Sequence, residues 1–360
     1  MDKKVLMLLS NGFEPDIRVY KEAKSLVKHN YDVTIFCLDR NENLPKEENF
    51  EGIKIKRFRV GKIKNGKAFS VGLSLLKFYI KIKKELKKMK KIELVHCHDF
   101  DTMHIGLMLK RKLNIKLIYD IHDLYDRNFK GFMKKIIKTI DKRFYKKANK
   151  IILVNENFKK IKDFKNKNTT IIMNVPFNKG GKITKSKKEG LFYSGNLNKL
   201  REMTFVFEAC KKINEKITIA GDGPLLKEYA KKFPEKKIIF LGKIKHSEVE
   251  RKTKQAKIII APYNTKYQNN KLATPNKLFE AMKFGKPVLV SSNTVMGLIV
   301  KKTKCGETFE YGNKNDFIKK LKKIERKYNQ YSKNSFNAFK KYNWNNMETR
   351  LLNAYKEVLL

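Results

Sequence analysis

The chain alternates between short apolar runs and longer segments whose apolar residues recur every three or four positions. "KKVLMLLS" (3–10) is an apolar run of strand length that ends at the turn-forming pair Asn11-Gly12. "DIRVYKEAKSLVKHN" (16–30) then has helical spacing, with Ile17, Val19, Tyr20, Ala23, Leu26 and Val27 on or near one side. Strands are predicted again at "YDVTIFCL" (31–38), "GIKIKRF" (52–58), "IELVHCHD" (92–99) and "IKLIYDIHD" (115–123). A helical "TMHIGLMLKRKLN" (102–114) separates the last two, and "NKIILVNE" (149–156) and "TTIIMNV" (169–175) close the first half. Short apolar strands alternating with helices predict a parallel sheet covered on both faces.

The pattern then breaks. "NKGGKITKSKKEG" (178–190) has almost no apolar residues and three glycines, and it reads as a linker. Alternation resumes with "LFYSGNL", "KITIAGDGP", "KIIFLGKI", "KIIIAPY" and "KPVLVSS", with helices between them. The expected organisation is therefore an α/β protein of two Rossmann-like, doubly wound domains. The first covers 1–177, a linker 178–189, and the second 190–343. A length of 360 residues suits two such domains. Ligands of open α/β sheets bind at strand carboxyl ends, so a ligand cleft is expected where those ends meet. Polar residues gather there: Asn11-Gly12, His98-Asp99, His122-Asp123, Gly195-Asn196 with Arg201 six residues on, and Gly221-Asp222-Gly223-Pro224.

Charge narrows the partners. Lys and Arg number 83 against 36 Asp and Glu, a formal net charge of +47. Such an excess favours an anionic partner, although lysines spread along the whole chain also fit a general compositional bias. Nucleic acid is not expected, because no recognition motif or interleaved aromatic platform is present. Cys37, Cys97, Cys210 and Cys305 are far apart and form no C-x-x-C pair, which argues for reduced thiols in a cytoplasmic protein and against a disulfide framework or structural zinc. The apolar run Val5–Leu9 is too short for a signal peptide core, and no stretch approaches the ~20 residues of a membrane span.

One stretch poses a sharper question. "LATPNKLFEAMKFGKPVLV" (272–290) starts a helix at Pro275-Asn276-Lys277, carries Glu280, and stops at Gly285. Proline suits a first helical turn because its missing N–H is not needed there. The free amides and dipole of that terminus favour an anion, and Lys277 adds a cation, which makes a site for a diphosphate. A competing chemistry lies in the first half. His96 and His98 share a strand face, with His104, Asp120, His122 and Asp123 downstream, an array that holds metals in hydrolases. That reading leaves "GDGP" and "PNKLFEA" unexplained.

Taken together, "PDIRVYKEAKSLVKHNYDVTI", "VHCHDFDTM", "YDIHDLY", "FYSGNL", "REMTFVFEA", "IAGDGPLLKEYAK", "IIFLGKI" and "TPNKLFEAMKFGKPVLVS" resemble, in order and spacing, the retaining glycosyltransferases of family 4. The resemblance implies the GT-B fold, with a helix over 344–360 crossing back to the first domain. It implies transfer of a sugar from a nucleotide-sugar to a glycan or lipid-linked acceptor, with no metal or other cofactor. A non-catalytic nucleotide-sugar binding protein is the alternative. On the donor side it implies Gly195, Asn196, Arg201, Gly221, Gly223, Lys245, Pro275, Asn276, Lys277 and Glu280. Arg201 takes the place of a diphosphate-binding lysine, and Glu280 that of the glutamate on the ribose hydroxyls. His122 matches the histidine near the donor sugar that helps to stabilise positive charge at the reacting carbon, and counts with Glu280 as catalytic. Gly12, Asp16, Arg18, His98 and Asp99 are expected on the acceptor side. Two positions depart from the pattern: Leu272 stands where the first glutamate of the E-x(7)-E motif falls, and Asn196 where an arginine is usual.

Two basic stretches complete the expectation. In "NFKGFMKKIIKTIDKRFYKKANK" (128–150), Phe129, Phe132, Met133, Ile136, Ile137, Ile140 and Phe144 recur at helical spacing amid lysines, and "LSLLKFYIKIKKELKKMKK" (73–91) has the same character. Their apolar faces are expected on the sheet, leaving the lysines outward for an anionic membrane surface. The protein would then work on the inner membrane face without spanning it.

Overall fold

The computed structural model describes residues 3–14, 16–61, 68–87, 92–161, 168–183 and 189–360. The chain divides into two compact units, Met1–Ile172 with Met347–Leu360, and Met173–Asn346. The stretch 178–189, expected as the linker, falls within the second unit, and its residues 184–188 lie outside the described residues, as do residues 88–91 of the basic stretch at 73–91.

The first unit is built on an eight-stranded sheet. Its strands are β1 (Lys3–Leu9), β2 (Tyr31–Leu38), β3 (Glu47–Phe50), β4 (Ile53–Phe58), β5 (Leu94–His98), β6 (Lys116–Ile121), β7 (Lys150–Leu153) and β8 (Thr169–Ile171). They lie in the order β3-β4-β2-β1-β5-β6-β7-β8. All neighbours pair in parallel except β3 and β4, which form an antiparallel edge hairpin. That hairpin turns at Glu51-Gly52, both at positive φ, and it was not legible because "EENF" has no apolar pattern. Strand order reverses between β1 and β5. Their carboxyl ends, with that of β6, form the switch point where open sheets bind ligands.

The helix Ile17–Lys28 packs on this sheet largely with the face its apolar spacing predicts, turned so that two charged residues are buried beside it. Ile17 is exposed, while Arg18 and Glu22 are buried together with Val19, Ala23 and Leu26. Burying two charged residues one helical turn apart requires partners inside, and these are described below. Asp16 caps the helix, accepting from the backbone N–H groups of Arg18 and Val19 at 3.1 and 3.4 Å. The helix Trp344–Leu359 returns the chain to the first unit, where Tyr355 and Val358 are buried and Glu357 pairs with Lys150.

The second unit carries a six-stranded, wholly parallel sheet. Its strands are β9 (Glu189–Ser194), β10 (Ile217–Ala220), β11 (Ile238–Phe240), β12 (Ala256–Ala261), β13 (Val288–Ser291) and β14 (Gly306–Phe309), in the order β11-β10-β9-β12-β13-β14. Leu191, Tyr193, Ile217, Ile219, Ile258, Ile260 and Leu289 from the strands and Val206, Phe207, Phe317 and Leu321 from the helices form one core. The switch point here lies between β9 and β12, so the loops after "LFYS" and "KIIIA" flank the expected ligand position.

Candidate functional site

In the second unit the switch point holds two cations against two tyrosines. The Arg201 guanidinium lies over the Tyr263 ring at 3.6 Å, and Lys277 Nζ lies over the Tyr193 ring at 3.6 Å. Tyr193 is the penultimate residue of β9, Tyr263 follows β12, Lys277 is the second residue of the helix Asn276–Lys283, and Arg201 ends a short 3-10 turn, Lys199–Arg201. Asn270 is buried beneath them. Its amide donates to the carbonyls of Leu200 and Asn264, both at 2.9 Å, and its carbonyl oxygen accepts from Arg201. Among the described residues no carboxylate lies within 4.0 Å of Arg201 or Lys277. Lys277 is only 7% exposed. Its burial and the neighbouring Arg201 charge hold its pKa well below the usual lysine value. Two basic groups with no ion-pair partner among the described residues form an anion site, Arg201 as a fixed charge and Lys277 as a group that an arriving anion would help to protonate.

The glycines make that packing possible. Gly195 has φ +148°, and a Cβ there would sit 3.0 Å from Lys277 Nζ. At Gly221, φ +155°, a Cβ would fall 1.8 Å from the Gly195 carbonyl oxygen. Backbone bonds Gly195 N–H to Ala220 O (2.9 Å) and Gly221 N–H to Gly242 O (2.8 Å) tie the strand-end loops together. At Gly223 a Cβ would fall 2.3 Å from the Leu197 carbonyl oxygen and 2.7 Å from Asn196 Oδ1. Pro275 sits one residue earlier than expected, as the extended N-cap, and Asn276 is the first helical residue. Lys245 is likewise an N-cap, that of the helix His246–Gln255. Glu280 accepts from or pairs with His246 at 3.2 Å, which orients its carboxylate from outside the helix. Leu272 is buried, 8% exposed, and its position supplies no polar group.

The first unit gathers a second polar cluster at its own switch point. Arg18 forks onto Asp120, Nε to Oδ2 at 3.0 Å and Nη2 to Oδ1 at 2.8 Å, and its Nη1 donates to the Ile172 carbonyl at 2.8 Å. Arg18 is 4% exposed, so its expected role as an acceptor contact is corrected: it is an internal strut. Glu22 lies 3.2 Å from Arg18 Nε. His96 and His98 stack at 4.2 Å, and His96 Nδ1 meets the Tyr355 hydroxyl at 2.7 Å. His122 Nε2 faces Asp120 Oδ2 at 2.9 Å, and its Nδ1 faces Asp99 Oδ2 at 3.1 Å. Asp99 adopts φ +63°, a strained conformation for a non-glycine residue at a strand-to-helix junction, and its Oδ1 accepts from the His122 N–H at 2.9 Å. At Gly12 a Cβ would meet Leu44 Cδ1 at 2.7 Å, and its carbonyl accepts from Arg57. Asp16 is engaged as the helix cap.

This cluster also bears on the metal-hydrolase reading. Glu22, His96, His98 and Asp120 bring ligand atoms within 4.8 Å of one another. The cation among them is already a guanidinium: Arg18 Nε contacts both carboxylates, and Asp120 Oδ2 also faces His122 and His98. A dication would have to displace these contacts. Asp120 keeps its charge for the same reason. Burial raises its pKa, but Arg18 and then His122 pull it well below the usual carboxylate range.

Sequence models match on both halves. Glycosyltransferase Family 4 matches residues 17–162, and Glycosyl transferases group 1 matches 188–326. This chain is a family 4-like glycosyltransferase. An uncharacterized glycosyltransferase of Methanocaldococcus jannaschii is 22% identical over 369 residues, 93% of this chain and 92% of that protein. The fold is that of GT-B enzymes. Sucrose-phosphate synthase of Thermosynechococcus elongatus superposes with a TM-score of 0.83 at 15% identity, covering 99% of each chain. HepE of Anabaena, in complex with UDP-glucose, superposes at 0.74 with 12% identity, over 98% of this chain and 99% of that one.

Sequence reasoning about this glycosyltransferase missed the residues that hold its charges in place. Tyr193 and Tyr263 stood within quoted strand ends, but an aromatic at a strand end usually signals core. Glu22 carried a usable signal, since it lies one helical turn from Arg18 on the face shared with Val19 and Ala23. Tyr355 had none, being 259 positions from His96 in the chain.

Proposed function

We propose that this glycosyltransferase takes its sugar from a nucleotide diphosphate-sugar held by the second unit. The supporting observation is the pair of basic side chains, Arg201 and Lys277, stacked on Tyr263 and Tyr193 with no ion-pair partner among the described residues. Arg201 forks onto the diphosphate, Lys277 neutralises it, and Glu280 receives the ribose hydroxyls. The bond from the anomeric carbon to the diphosphate oxygen breaks and the bond to the acceptor oxygen forms on the same face, which retains configuration. The acceptor's proton passes to the departing phosphate. Fixed cations stabilise the leaving charge in place of a metal. UDP-glucose, seen with the structurally similar HepE, is the first donor to test.

Titration calorimetry with UDP, GDP and UDP-glucose in the presence of a chelator tests this reading. At least one nucleotide diphosphate is expected to bind without added metal. Because Lys277 has a depressed pKa, binding should take up protons. The observed heat will then change with the ionisation enthalpy of the buffer. Binding that appears only with a divalent cation overturns the metal-free mechanism.

The acceptor reading rests on the surface of the first unit. Along the helix Ala68–Leu86, Leu73, Leu76 and Ile80 are exposed beside Lys77, Lys81, Lys83 and Lys84. The helix Gly131–Lys147 buries Phe144 and Tyr145 but leaves Phe132 76% exposed and Met133 47% exposed in its first turn, so its apolar face packs only in part. No helix among the described residues is long and apolar enough to cross a membrane. Exposed apolar side chains amid lysines suit an anionic lipid surface and a lipid-linked glycan acceptor. Co-sedimentation should favour anionic over neutral vesicles at physiological salt. Replacing Leu76, Ile80 and Phe132 by serine should weaken it. Equal recovery with both vesicle types makes a soluble acceptor the better reading.

A further inference from the structure

We propose that Asp120, with Asp99, is a positioning residue that locks His122 as a doubly donating imidazolium, a fixed positive charge at the carboxyl ends of β5 and β6. The geometry states it directly. Both ring nitrogens face carboxylate oxygens, Nε2 to Asp120 at 2.9 Å and Nδ1 to Asp99 at 3.1 Å. An ionised carboxylate only accepts, so each nitrogen satisfies its neighbour by carrying a hydrogen. A neutral ring has one such hydrogen and would leave a lone pair against one of the carboxylates. Nε2 also lies 3.3 Å from His98 Nδ1, whereas Asp120 Oδ2 is the nearer partner at 2.9 Å.

The surroundings support the charged form. Arg18, from the helix Ile17–Lys28, forks onto Asp120 and fixes the orientation in which Oδ2 meets the ring. Glu22 on the same helix is pushed up to about 8 by burial and then by Asp120, against the pull of Arg18, so it adds no full negative charge at neutral pH. From β5, His98 lies 3.4 Å from Asp120 Oδ2 and stacks on His96. Burial lowers the pKa of both, so the ring beside His122 is neutral. Tyr355, from the C-terminal helix, meets His96 and keeps its proton because burial raises its pKa. What remains is Arg18 and His122 against Asp120 and Asp99, two positive groups balancing two negative ones. Burial lowers the His122 pKa, but the two carboxylates more than reverse this and carry it well above the ordinary value.

The consequence reaches the chemistry. A ring with both nitrogens donating has no lone pair to take the acceptor's proton, so His122 is not the general base. A cation also repels positive charge at the reacting carbon, the reverse of what the resemblance implied for this residue. His122 instead offers charge to an anionic group, and Asp99, with a third of its side chain exposed, is the carboxylate open to a ligand hydroxyl. This assignment does not depend on the donor reading.

Nitrogen-15 NMR of the histidine side chains in the full chain tests it, with the His122 signals assigned from a His122→Asn variant. His122 should keep the doubly protonated pattern through and beyond about pH 6.5, where an ordinary histidine titrates. Asp120→Asn and Asp99→Asn should each lower its midpoint by more than about one pH unit. Glu22→Gln, equal in shape and charge to a protonated Glu22, should leave that pattern in place. A purely structural Asp120 would alter stability without moving the midpoint. If Asp120→Asn does not fold, Asp99→Asn reads the other arm of the clamp. Titration of wild-type His122 near the ordinary value, or a midpoint indifferent to a folded variant, overturns the proposal.

Discussion

Replacing Asp120 by alanine is expected to destabilise the glycosyltransferase by about 3–5 kcal/mol, the range for removing one partner of a buried ion pair. Asp120 is fully buried and serves Arg18 through two bonds, with His122 and His98 on the same carboxylate. Its loss leaves the Arg18 guanidinium with the Ile172 carbonyl and Glu22 alone and takes the carboxylate from His122 and His98, which places the expected cost above that of a surface pair. Denaturant midpoints of wild type and variant measure it. The pH dependence has a definite sign. Asp120 has a depressed pKa, so its stabilisation is present above about pH 3.9 and fades as pH falls through its folded value. His122 has a raised pKa, so its contribution is complete below about pH 6.5 and fades as pH rises through its folded value. The gap between wild type and variant should therefore be widest in the neutral range and narrow toward acid. A loss under about 1 kcal/mol at neutral pH would show that the pair is not a main support of the first unit.

Replacing Arg201 by alanine is expected to weaken nucleotide diphosphate binding by ~1.5–3 kcal/mol, the range for hydrogen bonds to charged groups. That corresponds to roughly a 10- to 150-fold rise in Kd. The variant loses the guanidinium over Tyr263 and leaves the buried Asn270 carbonyl oxygen without its donor. Arg201→Lys keeps the charge but not the planar fork, so an intermediate loss is expected. Calorimetry with the diphosphate that binds wild type is the measurement. Unchanged affinity in the alanine variant would remove Arg201 from the donor site, and an equal loss for the nucleoside without phosphates would assign it to the base or ribose instead.

Much of the fold was legible because its signals are local. Apolar runs of strand length, glycine turns and helical spacing recover the two parallel sheets, and the segments missed were β3 and β14, whose "EENF" and "GETF" carry no apolar pattern. The donor residues were legible only as a set of charges. Arg201 and Lys277 were found, yet nothing in their neighbourhood in the chain says that Tyr193 and Tyr263 form their platform, because the four residues come from four separate segments. The helix Ile17–Lys28 was read with the right period and most of the right face, since Val19, Ala23 and Leu26 are buried, but Ile17 is exposed and Arg18 and Glu22 were not expected inside. Apolar spacing favours Ile17, whereas the buried Asp120 carboxylate draws Arg18 inward.

The order of residues alone determined that two doubly wound α/β units form, where their strands end, and that positive charge collects at the strand ends of the second. Those are properties of period, turn chemistry and composition, each set by residues within a few positions of one another. Only the tertiary structure decided how each charge is used. Among the described residues Arg201 and Lys277 have no ion-pair partner, because what packs against them is aromatic faces and an amide. Arg18, equally cationic in sequence, is cancelled by Asp120, 102 positions away. Whether a side chain is open to a ligand depends on burial and on the sign of what packs against it, and both arise only when distant segments meet.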